Sequence, residues 1–196
     1  MSSVVELLAK NVSGRRALLK GAVGIGAGLA LAPVAAIAQG DQASVRPREG
    51  DRLVRAGDAT LEPLRPADIL LASPPTTAWP MEPKEKIVRS GSRLNGVLLV
   101  RLDPETLAAG TRALAAEGVV AYTNVCTHEA CDVGAWIAAD RLLLCECHES
   151  KFDPKDGARV VEGPAPRSLP ALPLTIVDGV LVVARGFTAR VGADTI

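Results

Sequence analysis

Aromatic side chains are scarce in this chain of 196 residues: Phe, Tyr and Trp together account for 3% of it. A core must therefore be assembled from Val, Leu, Ile and Ala. Net charge is also missing, since 22 Lys+Arg balance 22 Asp+Glu. That balance argues against a nucleic-acid binder that works by neutralising phosphates. Four cysteines are too few for a disulfide-held miniprotein but enough for one metal site. Histidine is rarer still, with two residues. The length allows one ordinary domain with appendages. The zero charge averages unlike parts: Lys10, Arg15, Arg16 and Lys20 outnumber Glu6 in the first 38 residues, and the remainder holds 18 basic groups against 21 acidic ones.

The amino terminus has the layout of an export signal. Ser13-Gly14-Arg15-Arg16-Ala17-Leu18-Leu19-Lys20 precedes an uncharged apolar stretch from Gly21 to Ala38, which closes on Ala36-Ile37-Ala38. The arginine pair followed by x-Leu-Leu-Lys resembles a twin-arginine (Tat) signal, with Gly14 and Leu18 as departures from the usual Ser-Arg-Arg-x-Phe-Leu-Lys. Such signals carry proteins that fold before export, often around a cofactor. The apolar stretch falls slightly short of the roughly 20 residues of a spanning helix, and its Ala-x-Ala ending favours cleavage. Similar electron-transfer subunits keep the helix as an anchor, so residues 1–38 are expected to be a signal peptide or a membrane anchor. Residues 39–64 lack apolar periodicity and read as an exposed linker.

Residues 65–196 read as the folded domain. Six prolines between Pro63 and Pro83 rule out a long helix there. Short apolar runs bounded by turn residues then follow at Val97–Leu102, Val119–Thr123, Leu142–Cys145, Leu174–Val177 and Val180–Ala184. Asp178-Gly179 between the last two is a two-residue hairpin signal. Pro104–Glu117 is the one helix-like piece, interrupted by Gly110 and Thr111. The domain is expected to be all-β and mostly antiparallel.

All four cysteines and both histidines fall within 23 residues, in two clusters: Cys126-Thr127-His128-Glu129-Ala130-Cys131 and Cys145-Glu146-Cys147-His148-Glu149-Ser150. Such clustering points to a metal site. Zinc would take four donors and leave two of the six unused. Two Cys and two His could instead hold the two irons of a [2Fe–2S] centre, freeing the other two Cys for a disulfide.

The spacing Cys126-x-His128, then Cys145-x-x-His148, resembles the Rieske iron–sulfur proteins. Gly163-Pro164-Ala165-Pro166 resembles the proline-rich loop that covers the cluster in that family. The resemblance spans roughly residues 95–185. It implies an antiparallel β-sandwich with a small cluster-binding subdomain, here preceded by the signal or anchor helix, and one [2Fe–2S] cluster. By the same resemblance Cys126 and Cys145 bind one iron, His128 and His148 the other, and Cys131 and Cys147 form a disulfide suited to an oxidising compartment. Ser150 matches the serine that donates to a bridging sulfide. Phe152 stands where high-potential members carry a Tyr that donates to a ligand sulfur. Imidazole ligation places such centres at about −150 to +300 mV, and the missing donor predicts a value below that of quinol-oxidising members.

Glu129, Ala130, Glu146 and Glu149 depart from the family's apolar, Gly, Pro and Gly residues. In quinol-oxidising complexes the histidine tip docks against an apolar bowl, where Glu129 and Glu149 would be costly to bury. An acidic rim suits a basic partner instead. Val120-Ala121-Tyr122 ahead of the first cluster is similar to arsenite oxidase small subunits, whereas the Gly-Pro-Ala-Pro loop is more like the cytochrome bc type. With both histidines used, no mononuclear-iron triad remains for an oxygenase. The expectation is one-electron transfer at the periplasmic face, to a redox partner or larger catalytic subunit. The alternative is the iron–sulfur subunit of a quinol–cytochrome c reductase, and a structural zinc module is the reading from another class.

Overall fold

The longest apolar runs become inner strands. The computed structural model describes residues 42–194, all within the second of two compact units, Ala32–Ile196. The signal or anchor reading of residues 1–38 lies outside the described residues. No helix among the described residues is long and apolar enough to cross a membrane.

Among the described residues eleven strands follow in chain order: β1 Arg52–Arg55, β2 Thr76–Glu82, β3 Ile87–Val88, β4 Val97–Arg101, β5 Val119–Thr123, β6 Ala135–Ile137, β7 Leu142–Cys145, β8 Ser150–Asp153, β9 Arg159–Glu162, β10 Leu174–Val177 and β11 Val180–Val183. They form two sheets. The larger runs β10-β11-β1-β2-β4-β5, with β3 added to β2, and the smaller runs β6-β7-β8-β9. Every strand pair is antiparallel.

β4 shows why an unbroken apolar run was needed. Alternate residues point to opposite faces of a strand. Leu98 and Val100 enter one core with Tyr122, Leu143, Phe152 and Leu169. Val97 and Leu99 enter a second with Leu53, Ala121, Leu172 and Leu181. Both faces of β4 are therefore dry, and each fully buried Leu or Val contributes roughly 1.5–3 kcal/mol. The first core joins the two sheets and contains Cys126 and Cys145, so the two cysteine–histidine loops grow directly out of packed structure.

The turn between β10 and β11 has Asp178 at φ 52° and Gly179 at φ 76°, the left-handed pair that a two-residue hairpin demands. Pro104–Thr106 is a 3₁₀ turn and Ala109–Arg112 a single helical turn; Gly110 inside it is a poor helix former, and no long helix results. The linker expectation is corrected in part. Within residues 39–64, Arg52–Arg55 pairs with β2 on one side and β11 on the other. Leu53 and Val54 are buried, and Asp51, just ahead of them, forms a two-pronged ion pair with Arg89 at 2.5 and 2.8 Å. Both charged side chains are 3% exposed. Two apolar residues between charges leave no readable periodicity, so tertiary pairing decides this strand.

Candidate metal centre

The first cysteine–histidine loop leaves the end of β5 and folds tightly on itself. The Cys126 amide donates to the Cys131 carbonyl at 2.8 Å, and the Ala130 amide to the Cys126 carbonyl at 3.1 Å. This tight loop puts Ala130 in the left-handed region, at φ 56°. Arg93 closes it from outside, donating to the Ala130 carbonyl at 2.5 Å and to Asp132 at 2.9 Å. The second loop is the β7–β8 connection, closed by the Cys145–Ser150 pair, with Glu149 at φ 59°. Cys131 and Cys147 join the two loops as a disulfide.

Between the loops lie two kinds of donor. Cys126 and Cys145 are free, buried thiols. Burial, together with the Cys145 thiol alongside, pushes the Cys126 thiol up to about 11, while the His128 amide and the Ser150 hydroxyl act in the opposite direction as donors to its sulfur. The imidazoles sit further out. Nδ1 of His128 is 3.3 Å from Nδ1 of His148, and the rings meet edge to face with centroids 4.7 Å apart. The His148 side chain is 45% exposed, and a Glu129 carboxylate oxygen lies 3.8 Å from its Nε2. Thiols and imidazoles thus segregate: the Cys145 sulfur clusters with Cys131 and Cys147, and His128 clusters with Glu129 and His148.

A third segment, Gly163-Pro164-Ala165-Pro166, packs against both loops. The Ala165 amide donates to the Ser150 hydroxyl oxygen at 3.1 Å, leaving the Ser150 proton free to point at sulfur. The Thr127 hydroxyl donates to the Arg167 carbonyl at 2.6 Å. At Gly163, φ is +96°, and an added Cβ would fall 2.5 Å from the Ser150 Cα. Only glycine permits this approach. Phe152 is fully buried in the core that holds Cys126 and Cys145, and its ring brings no hydroxyl there. Glu129, Glu146 and Glu149 are exposed.

Sequence reasoning missed Arg93, Thr127 and Arg167, whose contacts reach across 40 residues or nearly so. It noted Ala130 and Glu149 as departures from glycine, a sign of left-handed backbone that was there to be read.

Two antiparallel sheets carrying a disulfide-linked pair of loops, with inner thiols and outer imidazoles, define a cysteine–histidine metal domain of the electron-carrier class. The comparisons sharpen this. The family description "Rieske [2Fe-2S] domain" matches residues 97–173. The cytochrome bc1 complex Rieske iron-sulfur subunit of Streptomyces lividans is 36% identical over 138 residues, covering 68% of this chain and 80% of that protein. The subunit of the same name in Streptomyces coelicolor is also 36% identical over 138 residues, which make up 38% of its length. A Haloferax mediterranei protein provisionally named a respiratory nitrate reductase Rieske subunit is 47% identical over 76 residues, covering 38% of this chain and 34% of that protein. Among solved structures, the soluble domain of Rieske protein II from Sulfolobus acidocaldarius is 24% identical with a TM-score of 0.37, covering 49% of this chain and 66% of that one. The chain belongs to the Rieske iron–sulfur family. Its cysteine–histidine site is of the type that holds one [2Fe–2S] cluster, and it is an electron-transfer domain.

Proposed function

We propose that Cys126 and Cys145 bind one iron of the cluster and His128 and His148 the other, making the chain the one-electron carrier of an exported redox complex. The segregation of buried thiols from facing imidazoles carries this reading. A tetrahedral zinc site would gather its four donors around one point. The bound cluster supplies a site that takes up and gives back a single electron. The chain does the rest. Ser150 and the His128 amide donate toward the Cys126 sulfur and favour the extra negative charge of reduction. The proline loop keeps water off the inner side. The exposed His148 edge gives a short path out. Iron and sulfide analysis with EPR of the dithionite-reduced protein tests the assignment. A low-g rhombic signal, lost in Cys126→Ser, is expected; one zinc per chain and no signal would overturn it.

The named relatives favour the iron–sulfur subunit of a quinol–cytochrome c reductase. A second reading, the small subunit of another exported oxidoreductase, is favoured by the exposed Glu129, Glu146 and Glu149 around the histidine edge, which suit a basic partner. Electron-transfer rates that fall steeply with salt support the second reading; salt-independent rates with a quinol-oxidising membrane partner support the first. We place the protein at the periplasmic face, with residues 21–38 as part of a twin-arginine signal or as an anchor. Sequencing the mature amino terminus decides between those two.

A further inference from the structure

The family match ends at residue 173, yet the chain beyond β11 returns to the first ligand loop. Thr188 and Ala171 exchange two hydrogen bonds, amide to carbonyl at 2.9 Å and amide to hydroxyl at 3.0 Å. Val191 then packs with Val125 and Ala130, and Leu94 and Phe187 lie against them. Those contacts fall on both sides of Cys126. Gly192, at φ +87°, carries the backbone across this patch, where an added Cβ would be in ordinary contact, 3.7 Å from both Leu94 and Val125.

Arg167 fixes the tail in that position. Its guanidinium donates to the Gly192 carbonyl at 2.5 Å and to Asp194 at 3.2 Å, while its own carbonyl accepts from Thr127 in the ligand loop. One residue therefore ties together the end of the proline loop, the first ligand loop and the carboxy-terminal tail. Its side chain is only 26% exposed, so the fork is screened from water more than a surface pair would be.

We propose that residues 187–194 are a brace for the first ligand loop, and that Arg167 is the positioning residue that holds the brace in place. This inference rests on the ligand roles proposed above, but its geometry belongs to the protein chain alone. Without the brace, the left-handed Ala130 and the closing bond from the Cys126 amide lose their backing on one side. The loop would then open more often, and Cys126 and His128 would sample a wider range of positions.

Three readouts test this on the full chain. In metal-free protein, hydrogen exchange at the amides of Cys126 and Ala130 should accelerate in Arg167→Ala, because the loop opens without global unfolding. In cluster-loaded protein, the EPR lines of Arg167→Ala should broaden, and iron loss to a strong chelator should quicken about 10-fold or more, as when other outer-shell supports are removed. Arg167→Lys keeps one donor and should recover part of both effects. Arg185→Ala, an exposed position just ahead of the tail and outside residues 187–194, should match wild type. Should Arg167→Ala fail to fold, Asp194→Asn, a milder change on an exposed partner, should move all three readouts the same way by a smaller amount. Unchanged exchange, line width and iron loss in both Arg167→Ala and Asp194→Asn would overturn the proposal. So would equal effects in Arg185→Ala. A wild-type chain that binds no cluster would sink the ligand assignment instead, and the exchange measurement would still judge the brace.

Discussion

Replacing Gly163 by Ala should damage both the stability and the redox site, through backbone geometry alone. The residue sits at φ +96°, and a methyl group there would lie 2.5 Å from the Ser150 Cα and 2.9 Å from the Glu149 carbonyl oxygen. Both obstacles are backbone, so no side-chain rotation clears them and the proline loop must lift away. Holding an L-residue at positive φ costs roughly 1–2 kcal/mol. Losing the Ala165–Ser150 bond costs about 1 kcal/mol. The loss of chain entropy in the unfolded state returns roughly 0.4–1 kcal/mol. The net is about 2 kcal/mol before any steric overlap is counted. For a chain of this size that lowers Tm by about 4–8 °C. Thermal unfolding of metal-free protein, followed by circular dichroism, measures it. The reduction potential should also fall, since a displaced Ser150 donates less well to sulfur. A Tm within 2 °C of wild type and an unmoved potential would refute the reasoning.

Other outcomes follow from the same structure. Glu149 is exposed and left-handed, so Glu149→Gly should leave stability equal or raise it by up to about 1 kcal/mol, read from urea unfolding. Phe152→Tyr places a hydroxyl in the core that holds Cys126 and Cys145. Its potential in protein-film voltammetry should rise, and no rise would show that the ring position does not reach a ligand sulfur. Replacing both Cys131 and Cys147 by Ser opens a loop of sequence separation 16 and should cost about 3 kcal/mol in metal-free protein, with faster cluster loss besides. Arg89→Met strands the buried Asp51 carboxylate and should cost about 3–5 kcal/mol, whereas the double change Asp51→Leu with Arg89→Met should recover most of it; a double-mutant cycle in urea checks both.

What the sequence made legible was whatever has a local cause. The runs 97–102, 119–123, 142–145, 174–177 and 180–184 became strands to within a residue at their ends, because their burial on one or both faces shows as apolar continuity. The Asp178-Gly179 turn was readable from backbone chemistry. Pairing of Cys131 with Cys147 followed from the family resemblance and is present. Strands whose order comes from neighbours stayed hidden. β1 offers only Leu53 and Val54 between arginines. β2 contains Pro80, which is tolerated because β4 pairs only with Thr76, Thr77 and Ala78 and stops before it. β8 and β9 carry Ser150, Lys151, Arg159 and Glu162, whose polar character reflects the loop they serve and the Lys151–Glu162 pair across them. The supports of the site were unreadable for a similar reason: Arg93 and Arg167 act through backbone carbonyls, which no residue pattern advertises.

The placement of β1 has a mechanical consequence. The described chain enters at its amino-terminal end and, by Arg52, is already inside the sheet between two antiparallel neighbours, with the Asp51–Arg89 clamp at the threshold. Tension applied from upstream acts along β1, loading its cross-strand bonds in parallel rather than peeling them one by one. A pull from that side meets the domain as a bolt set in its middle, at the same end of the sheet as the first cluster loop, which leaves β5 with β2 and β4 in between.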